Sequence, residues 1–196
     1  MAESTITKRA IADSLKLLTK NKAFDKISVK DISEKCGINR QTFYYHFEDK
    51  YILLKWIYEN DLLEKYMKDV SFENWNIKLE QLLTEMTQDK HFYINTINHT
   101  ENYIQSYLVV QAQKIFEQAI TYIDVSANDE EHKAVSDSQR NFIAKFFAYG
   151  SCGILIEWVV RGMEEAPSYI ADNMKTLKDL CEKASYDYLS EKFTID

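Results

Sequence analysis

The chain has 196 residues, which suits either one extended helical body or a small domain joined to a larger one. Only 4 glycines and 1 proline are present, too few for the many turns of a sandwich or barrel, so the composition favours an all-α protein. The N-terminus lacks the apolar stretch of a signal peptide, and the longest apolar run, residues 146–160, is short for a bilayer and carries Glu157. We therefore expect a cytoplasmic protein that does not associate with membranes.

The formal net charge of −7 is unfavourable for binding nucleic acid, but the charge is unevenly distributed. The first 50 residues contain ten Lys or Arg and seven Asp or Glu, whereas the remaining residues contain fourteen and twenty-four. We call residues 1–50 the head and residues 51–196 the body, and treat them as two domains. A cationic head on an acidic body can meet a polyanion at one end while the rest of the molecule stays soluble.

Residues with catalytic or metal-binding chemistry are few and scattered. Cys36, Cys152 and Cys181 include no Cys-x-x-Cys pair, so we expect free thiols in a reducing cytoplasm. His91 and His99 lie eight residues apart with only Asp89 and Glu101 as further ligands at metal-site spacing, so we predict surface histidines and no metal. Because the chain also lacks a phosphate-binding glycine loop and the Gly-x-Ser-x-Gly and His-Glu-x-x-His motifs, we predict that it is not an enzyme and needs no cofactor.

The first two predicted helices belong to the head. Residues 5–24 place apolar side chains at spacings of three and four, which predicts one amphipathic helix. Ser28 and Asp31 have the spacing of a capping box, so a second helix should begin directly after Ser28. Gly37 should end that helix, because glycine adopts the left-handed conformation without steric cost.

A third, short helix and a longer fourth follow. Asn39 is a favourable N-cap for a helix over residues 40–47, and Asp49 for a helix from Lys50 to about Val70. On the third helix Phe43 and Phe47 are four residues apart and share a face, so we expect both in the core. Two short helices joined by a tight turn at a glycine are typical of a helix-turn-helix.

The other side chains of the third helix should face outward. Gln41 can reach base edges, while Arg40 and the hydroxyls of Tyr44 and Tyr45 can reach phosphates. Lys50 stands at the start of the fourth helix, where free N–H groups and the helix dipole favour a phosphate. The sequence therefore predicts that this surface binds double-stranded DNA.

Residues 6–54 resemble the DNA-binding domain of TetR-family transcriptional regulators, through the first helix, the Ile-Ser-Val-x-Asp-Ile start at 27–32 and Thr-Phe-Tyr-Tyr-His-Phe at 42–47. The resemblance implies a homodimer whose two heads enter successive major grooves, with an all-helical C-terminal body that senses a signal. It also implies DNA contacts from Arg40, Gln41, Thr42, Tyr44, Tyr45, His46 and Lys50. Many members carry a small residue where this chain has Gln41, so the sequence preference cannot be transferred.

The body is also predicted to be helical. We expect helices over residues 72–88, 91–98 and 101–123, a mobile acidic loop at 124–133, and two long helices over Ser138–Arg161 and Ser168–Tyr188. The resemblance implies that the last two helices form the dimerisation element. The small residues at 148–153 would let another helix approach closely.

The sequence does not identify the signal that acts on the body. The aromatic residues of the body are mainly expected in its core, with a possible ligand pocket lined by Trp75, Tyr93, Tyr103, Tyr107, Phe146 and Phe147. Residues 56–61, 74–83 and 146–167 are similar to the TetR-like regulators of dihydroxyacetone kinase. That subgroup includes activators that receive their signal from a kinase-like partner protein, so a small-molecule effector and a partner protein both stay open.

The main alternative is a helical adaptor that has kept the fold but does not bind DNA. The basic excess of the head and its outward Arg40, Tyr44, Tyr45 and Lys50 have no evident purpose in such an adaptor. We therefore favour a DNA-binding regulator.

Overall fold

A computed structural model describes the backbone of residues 2–71, 73–126 and 136–192, and this part of the chain is almost entirely helical. The prediction of an all-α fold is confirmed. Its α-helices are α1 (Ala2–Leu18), α2 (Val29–Cys36), α3 (Arg40–His46), α4 (Lys50–Tyr58), α5 (Trp75–Gln88), α6 (Lys90–Asn98), α7 (Tyr103–Ser126), α8 (Asp137–Val160) and α9 (Pro167–Lys192). Of the predicted acidic loop, 124–126 belong to α7 and 127–133 lie outside the described residues.

Local signals in the head produce the predicted helix boundaries. The backbone N–H of Asp31 donates to Ser28 Oγ at 3.2 Å, and the backbone N–H of Ser28 donates to Asp31 Oδ2 at 2.7 Å, which completes the capping box. Gly37 ends α2 with φ of 73°, in the left-handed region. Asn39 then caps α3 by accepting from the backbone N–H of Thr42 at 2.7 Å. The helix-turn-helix is therefore built from neighbouring residues.

The first helix is shorter than predicted. It ends at Leu18, and a 3-10 turn at Phe24–Lys26 follows it. The change of direction brings the ring of Phe24 into the core, where it is fully buried. The apolar stripe of α1 is also narrower than its sequence indicates, because Ile6 and Leu17 are exposed while the core positions between them are buried.

The predicted fourth helix changes character midway. It is α-helical through Tyr58 and continues as a π-helix over Glu59–Met67. Asp61 in the π-helical segment accepts hydrogen bonds from Arg9 and, at 2.8 Å, from Lys16 of α1. The segment therefore directs a carboxylate at the head, which fits the tendency of π-helical turns to occur at functional positions.

Lys16 joins the head to two acidic groups of the body. Its ammonium lies 2.8 Å from Asp61 Oδ2 and 2.9 Å from Asp89 Oδ2. Burial lowers the pKa of Lys16, but the hydrogen bonds and charges of the two carboxylates outweigh this effect, so its pKa is raised above the ordinary value. The ammonium is thus held charged at the boundary between head and body.

One core runs through head and body. Phe24 and Phe43 of the head, Leu53 and Ile57 of α4, and Tyr93 of α6 belong to the same buried cluster. In the body α7 and α8 pack along each other, α6 packs on α8, and α9 packs on α5. The recognition helix α3 is therefore mounted on a framework that extends into the body.

Helix α8 is longer than the apolar run seen in the sequence. It has 24 residues, and an 18-residue stretch of it has a mean hydropathy of 1.5, which would suffice by length and composition to cross a membrane. One face, with Ala144, Ala148 and Trp158, is buried within the protein. Cys152 is also buried there, and desolvation raises the pKa of its thiol to about 11, so the thiol stays protonated at neutral pH.

Candidate nucleic-acid interface

Helix α3 separates its aromatic rings between two environments. Phe43 is completely buried and Phe47 is 3% exposed, whereas Tyr44 is 56% and Tyr45 is 83% exposed. Phe47 also packs against Trp56 of α4, with ring centroids 5.8 Å apart. The predicted orientation of these rings is confirmed, so the helix is anchored on one side and presents tyrosines to solvent on the other.

The remaining predicted contact residues lie around the same outward face. Arg40 and Gln41 are exposed in the first turn of α3, next to the cap formed by Asn39. Thr42 is half-buried, and its hydroxyl donates to Asn39 Oδ1 at 3.0 Å, which fixes the start of the helix. His46 is half-buried and packs edge-on against Tyr45, with ring centroids 5.0 Å apart. Thr42 and His46 therefore support their neighbours as well as bordering the surface.

Lys50 is placed differently from the prediction that it faces a phosphate. Its ammonium donates to three backbone carbonyls, those of Phe24 at 2.8 Å, Asp25 at 3.0 Å and Ile27 at 2.7 Å. It also lies 4.7 Å from the centroid of the Phe24 ring. Burial lowers the pKa of Lys50 from its ordinary value. With all three N–H donors taken, Lys50 holds the 3-10 turn, and a phosphate contact would require it to leave one of these carbonyls.

The six aromatic residues predicted to line a ligand pocket do not come together. Tyr103 and Tyr107 line an open groove of about 640 Å³, but the other four lie elsewhere. Tyr93 is packed in the core against Tyr58, Phe147 stacks on Phe116, Phe146 is exposed, and Trp75 is half-buried at the start of α5. Spacing along the sequence could not separate these environments, since the partners of Tyr93 and Phe147 come from other helices.

The groove lies between the start of α4 and the connection from α6 to α7. Tyr51 packs against Tyr103 with ring centroids 4.9 Å apart, and Lys55 Nζ lies 4.6 Å from the Tyr103 centroid. Glu101 and Asn102 on the rim have φ of 46° and 67°, in the left-handed region that favours glycine. Sequence analysis missed Tyr51 and Lys55, because only the fold brings α4 against α7.

Neither His91 nor His99 belongs to a cluster of metal-binding side chains in the part of the chain that the structure describes. Among the described residues, no group of three or more His, Cys, Asp or Glu is placed to hold a metal ion. His99 Nδ1 lies 3.9 Å from Asp25 Oδ1, and His91 is exposed.

Helices α8 and α9 expose several large apolar side chains. Gly150 and Gly153 lie on α8, where a Cβ at either position would meet no atom within 4 Å. The described chain therefore gives no packing reason for two glycines that each cost about 1 kcal/mol in a helix. We call the following exposed residues the apolar face: Phe142, Phe146, Tyr149, Ile154 and Val160 of α8, and Tyr169, Leu177 and Leu180 of α9.

Two family profiles match the chain. The profile described as "Transcriptional regulator C-terminal region" matches residues 73–179, more than half of the chain. The profile described as "Bacterial regulatory proteins, tetR family" matches residues 9–56, which include the whole of α3. The chain belongs to the TetR family of transcriptional regulators. DNA binding through the helix-turn-helix follows from membership of this family.

Named relatives of this TetR-family regulator point to one subgroup. The chain is 31% identical over 162 residues to the "HTH-type dhaKLM operon transcriptional activator DhaS" of Lactococcus lactis subsp. lactis (strain IL1403). The matched residues make up 83% of this chain and 84% of the relative. The chain is also similar to the solved structure "Dihydroxyacetone kinase operon activator DhaS", with a TM-score of 0.66 and 28% identity over 88% of this chain and 94% of that one. The predicted resemblance to dihydroxyacetone kinase regulators is confirmed.

Gln41 and Tyr45 should contribute differently to DNA binding. Gln41→Ala should change the preference among operator variants, since one amide contact to a base edge provides about 1–3 kcal/mol of discrimination. Tyr45→Ala should weaken binding to all sequences by about fivefold, as expected for the loss of one hydrogen bond to phosphate. Fluorescence anisotropy on a panel of single-base operator variants measures both, and equal effects of the two substitutions on every sequence would contradict this division.

Lys50 should contribute mainly to stability. Lys50→Met should lower the free energy of unfolding by about 2 kcal/mol, because three backbone carbonyls lose a charged donor. Urea unfolding measures this, with Lys20→Met as the control, since Lys20 is an exposed lysine of the same head. The opposite outcome would be a Lys50→Met variant of unchanged stability whose DNA binding depends less steeply on salt, by about one released ion. That result would instead place Lys50 on a phosphate.

Proposed function

We propose that the protein is a dimeric, sequence-specific regulator that activates transcription of a dihydroxyacetone kinase operon in response to an input to its body. The observation that carries this proposal is the surface of α3, where Arg40, Gln41, Tyr44 and Tyr45 are exposed on a helix whose opposite face is locked into the core. The similarity to DhaS, an activator of such an operon, suggests the target genes and the direction of control.

The head, residues 1–50, is the DNA-binding domain in this proposal. Gln41 offers both a donor and an acceptor to a base edge, and Arg40 and the tyrosine hydroxyls position the helix on phosphates. His46 and Thr42 border this contact. The rigid anchoring of α3 through Phe43 and Phe47 favours specific binding, because little ordering remains to be done when DNA binds.

Dimerisation through α8 and α9 is supported by the apolar face. Large apolar side chains exposed to solvent are typical of protein interfaces, and Phe146 of this face is 69% exposed. Gly150 and Gly153 leave room for the backbone of a second helix to approach α8 closely. A homodimer with two-fold symmetry would place its recognition helices roughly 34 Å apart, one turn of DNA.

The body, residues 51–196, receives the input. Since the names of the relatives refer to a kinase operon, a kinase-like partner protein is the input we favour. The open groove between α4 and α7 supports a small-molecule effector as the second candidate. Whichever input acts, one that strengthens operator binding must itself bind more tightly to the DNA complex, because the coupling is reciprocal. In this proposal the protein acts in the cytoplasm, without a cofactor, and is not an enzyme.

Operator binding tests the proposed function. The wild-type protein should bind DNA from upstream of its own gene and its neighbours, with an affinity that falls steeply as salt is raised. Arg40→Ala should lose most of this affinity, whereas Lys114→Ala, which removes an exposed cation from α7, should leave it unchanged. Fluorescence anisotropy at two salt concentrations measures the effect. A wild-type protein that bound none of the fragments, with or without lysate from cells induced with dihydroxyacetone, would contradict the proposal.

The dimer is tested at the apolar face. Phe146→Glu should produce monomers, because a charge would be buried without a partner in the interface, and operator affinity should fall by at least tenfold as one of two heads is lost. Light scattering and anisotropy measure the two effects. Ile77→Glu is the control, since Ile77 of α5 is also exposed but lies outside the apolar face. A wild-type monomer at micromolar concentration with full operator affinity would contradict the two-headed mechanism.

A further inference from the structure

One side chain of the body binds the backbone of the head at three points. Asn95 of α6 donates from Nδ2 to the carbonyls of Thr19 at 2.7 Å and Lys22 at 3.0 Å. Its Oδ1 accepts from the backbone N–H of Phe24 at 2.8 Å. Both donors and the acceptor of the amide are therefore directed at the connection between α1 and α2.

These backbone groups depend on Asn95 because they lie where α1 has ended. Carbonyls in the last turn of a helix have no partner within the helix, and a buried N–H without a partner costs about 1–3 kcal/mol. The three hydrogen bonds cross more than 70 residues of sequence and are partly buried. Asn95 thus supplies partners for backbone groups of the connection between α1 and α2, and it ties this connection to α6.

Phe24 is held by two different elements of the protein. Asn95 binds its N–H, while Lys50 at the start of α4 binds its carbonyl at 2.8 Å. Its ring packs edge-on against Tyr51, with centroids 5.3 Å apart. If α6 moved relative to α4, the hydrogen bonds of Phe24 to Asn95 and to Lys50 could not both be kept in their present geometry. The position of the head therefore depends on how these two helices are arranged.

Helix α6 connects the head to other helices of the body. The residue after Asn95, Thr96, is buried and lies 2.8 Å from the hydroxyl of Tyr58 at the end of α4. Helix α6 also packs on α8, which carries part of the apolar face. Asn95 therefore stands between the helices of the proposed dimer and the connection that leads to the recognition helix.

We propose that Asn95 is the positioning residue that fixes the head on the body, and that release of its amide is the step by which the body alters the separation of the two recognition helices. This inference rests on the proposed two-headed mechanism. An amide is suited to the position because it supplies two donors and one acceptor at once. A carboxylate of the same shape would keep only the acceptor and would repel the two carbonyls.

The consequence can be measured on operators whose half-sites are moved apart in single-base steps. The wild-type dimer should prefer one spacing strongly. Asn95→Ala and the isosteric Asn95→Asp should bind that spacing roughly tenfold more weakly and should discriminate less among spacings, since the head is no longer held in one position. Asn98→Ala is the matched control, because Asn98 is an exposed asparagine on the same helix and should keep the wild-type profile.

Two further measurements separate this role from a general loss of structure. Binding to a single half-site should be the same in wild type and both Asn95 variants, because the helix-turn-helix itself is intact. Hydrogen exchange of the peptide containing Phe24 should be faster in Asn95→Ala, which removes the acceptor, than in Asn95→Asp, which keeps it. Asn95→Asp remains informative if Asn95→Ala does not fold.

A wild-type spacing profile in both Asn95 variants, with operator binding intact, would overturn the inference and leave the proposed function standing. Equal loss of single half-site binding would also overturn it, since Asn95 would then only support folding of the head. If the wild-type protein bound no operator, the proposed function would fail first. Unchanged hydrogen exchange of the Phe24 peptide in Asn95→Ala would then refute the Asn95 clamp on its own.

Discussion

The attachment of the head to the body at Phe24 is the constraint on which the rest of the structure depends. Asn95 and Lys50, from two different helices, bind the N–H and the carbonyl of this one residue at 2.8 Å each. Lys16 adds a charged connection to Asp61 and Asp89. Partly buried polar contacts of this kind are costly to break, so they tie the head, and with it α3, to the body.

This arrangement explains how an acidic protein can serve as a DNA-binding regulator. Only the head needs to meet the polyanion, and its outward helix carries Arg40, Gln41, Tyr44 and Tyr45 on a buried base of phenylalanines. The acidic body takes part by binding basic residues of the head, as Asp61 does with Arg9 and Lys16. Part of the positive charge of the head is thus used for internal attachment, so counting lysines overstates the charge available to DNA.

The comparison of Lys50 with Tyr45 shows where sequence reasoning succeeds and where it stops. Tyr45 could be placed on the outer face from its spacing relative to Phe43 and Phe47, because a helix fixes side-chain direction within one turn. Lys50 had the favourable helix position for a phosphate, yet its ammonium is bound by carbonyls of the preceding turn. The six residues predicted to line a pocket lie apart for the same reason, and Tyr51 and Lys55 meet Tyr103 only through tertiary packing.

By itself the sequence determined the features that act within a few residues: the helical class, the capping box at Ser28, the turn at Gly37, the N-cap at Asn39 and the outward face of α3. Tertiary structure decided what depends on residues far apart in the chain, namely the end of α1, the π-helical segment after Tyr58, the role of Lys50 and the clamp formed by Asn95. The physical reason is that caps and turns are satisfied by neighbouring backbone groups, whereas the partners of Lys50 and Asn95 are defined only once α1, α4 and α6 have packed.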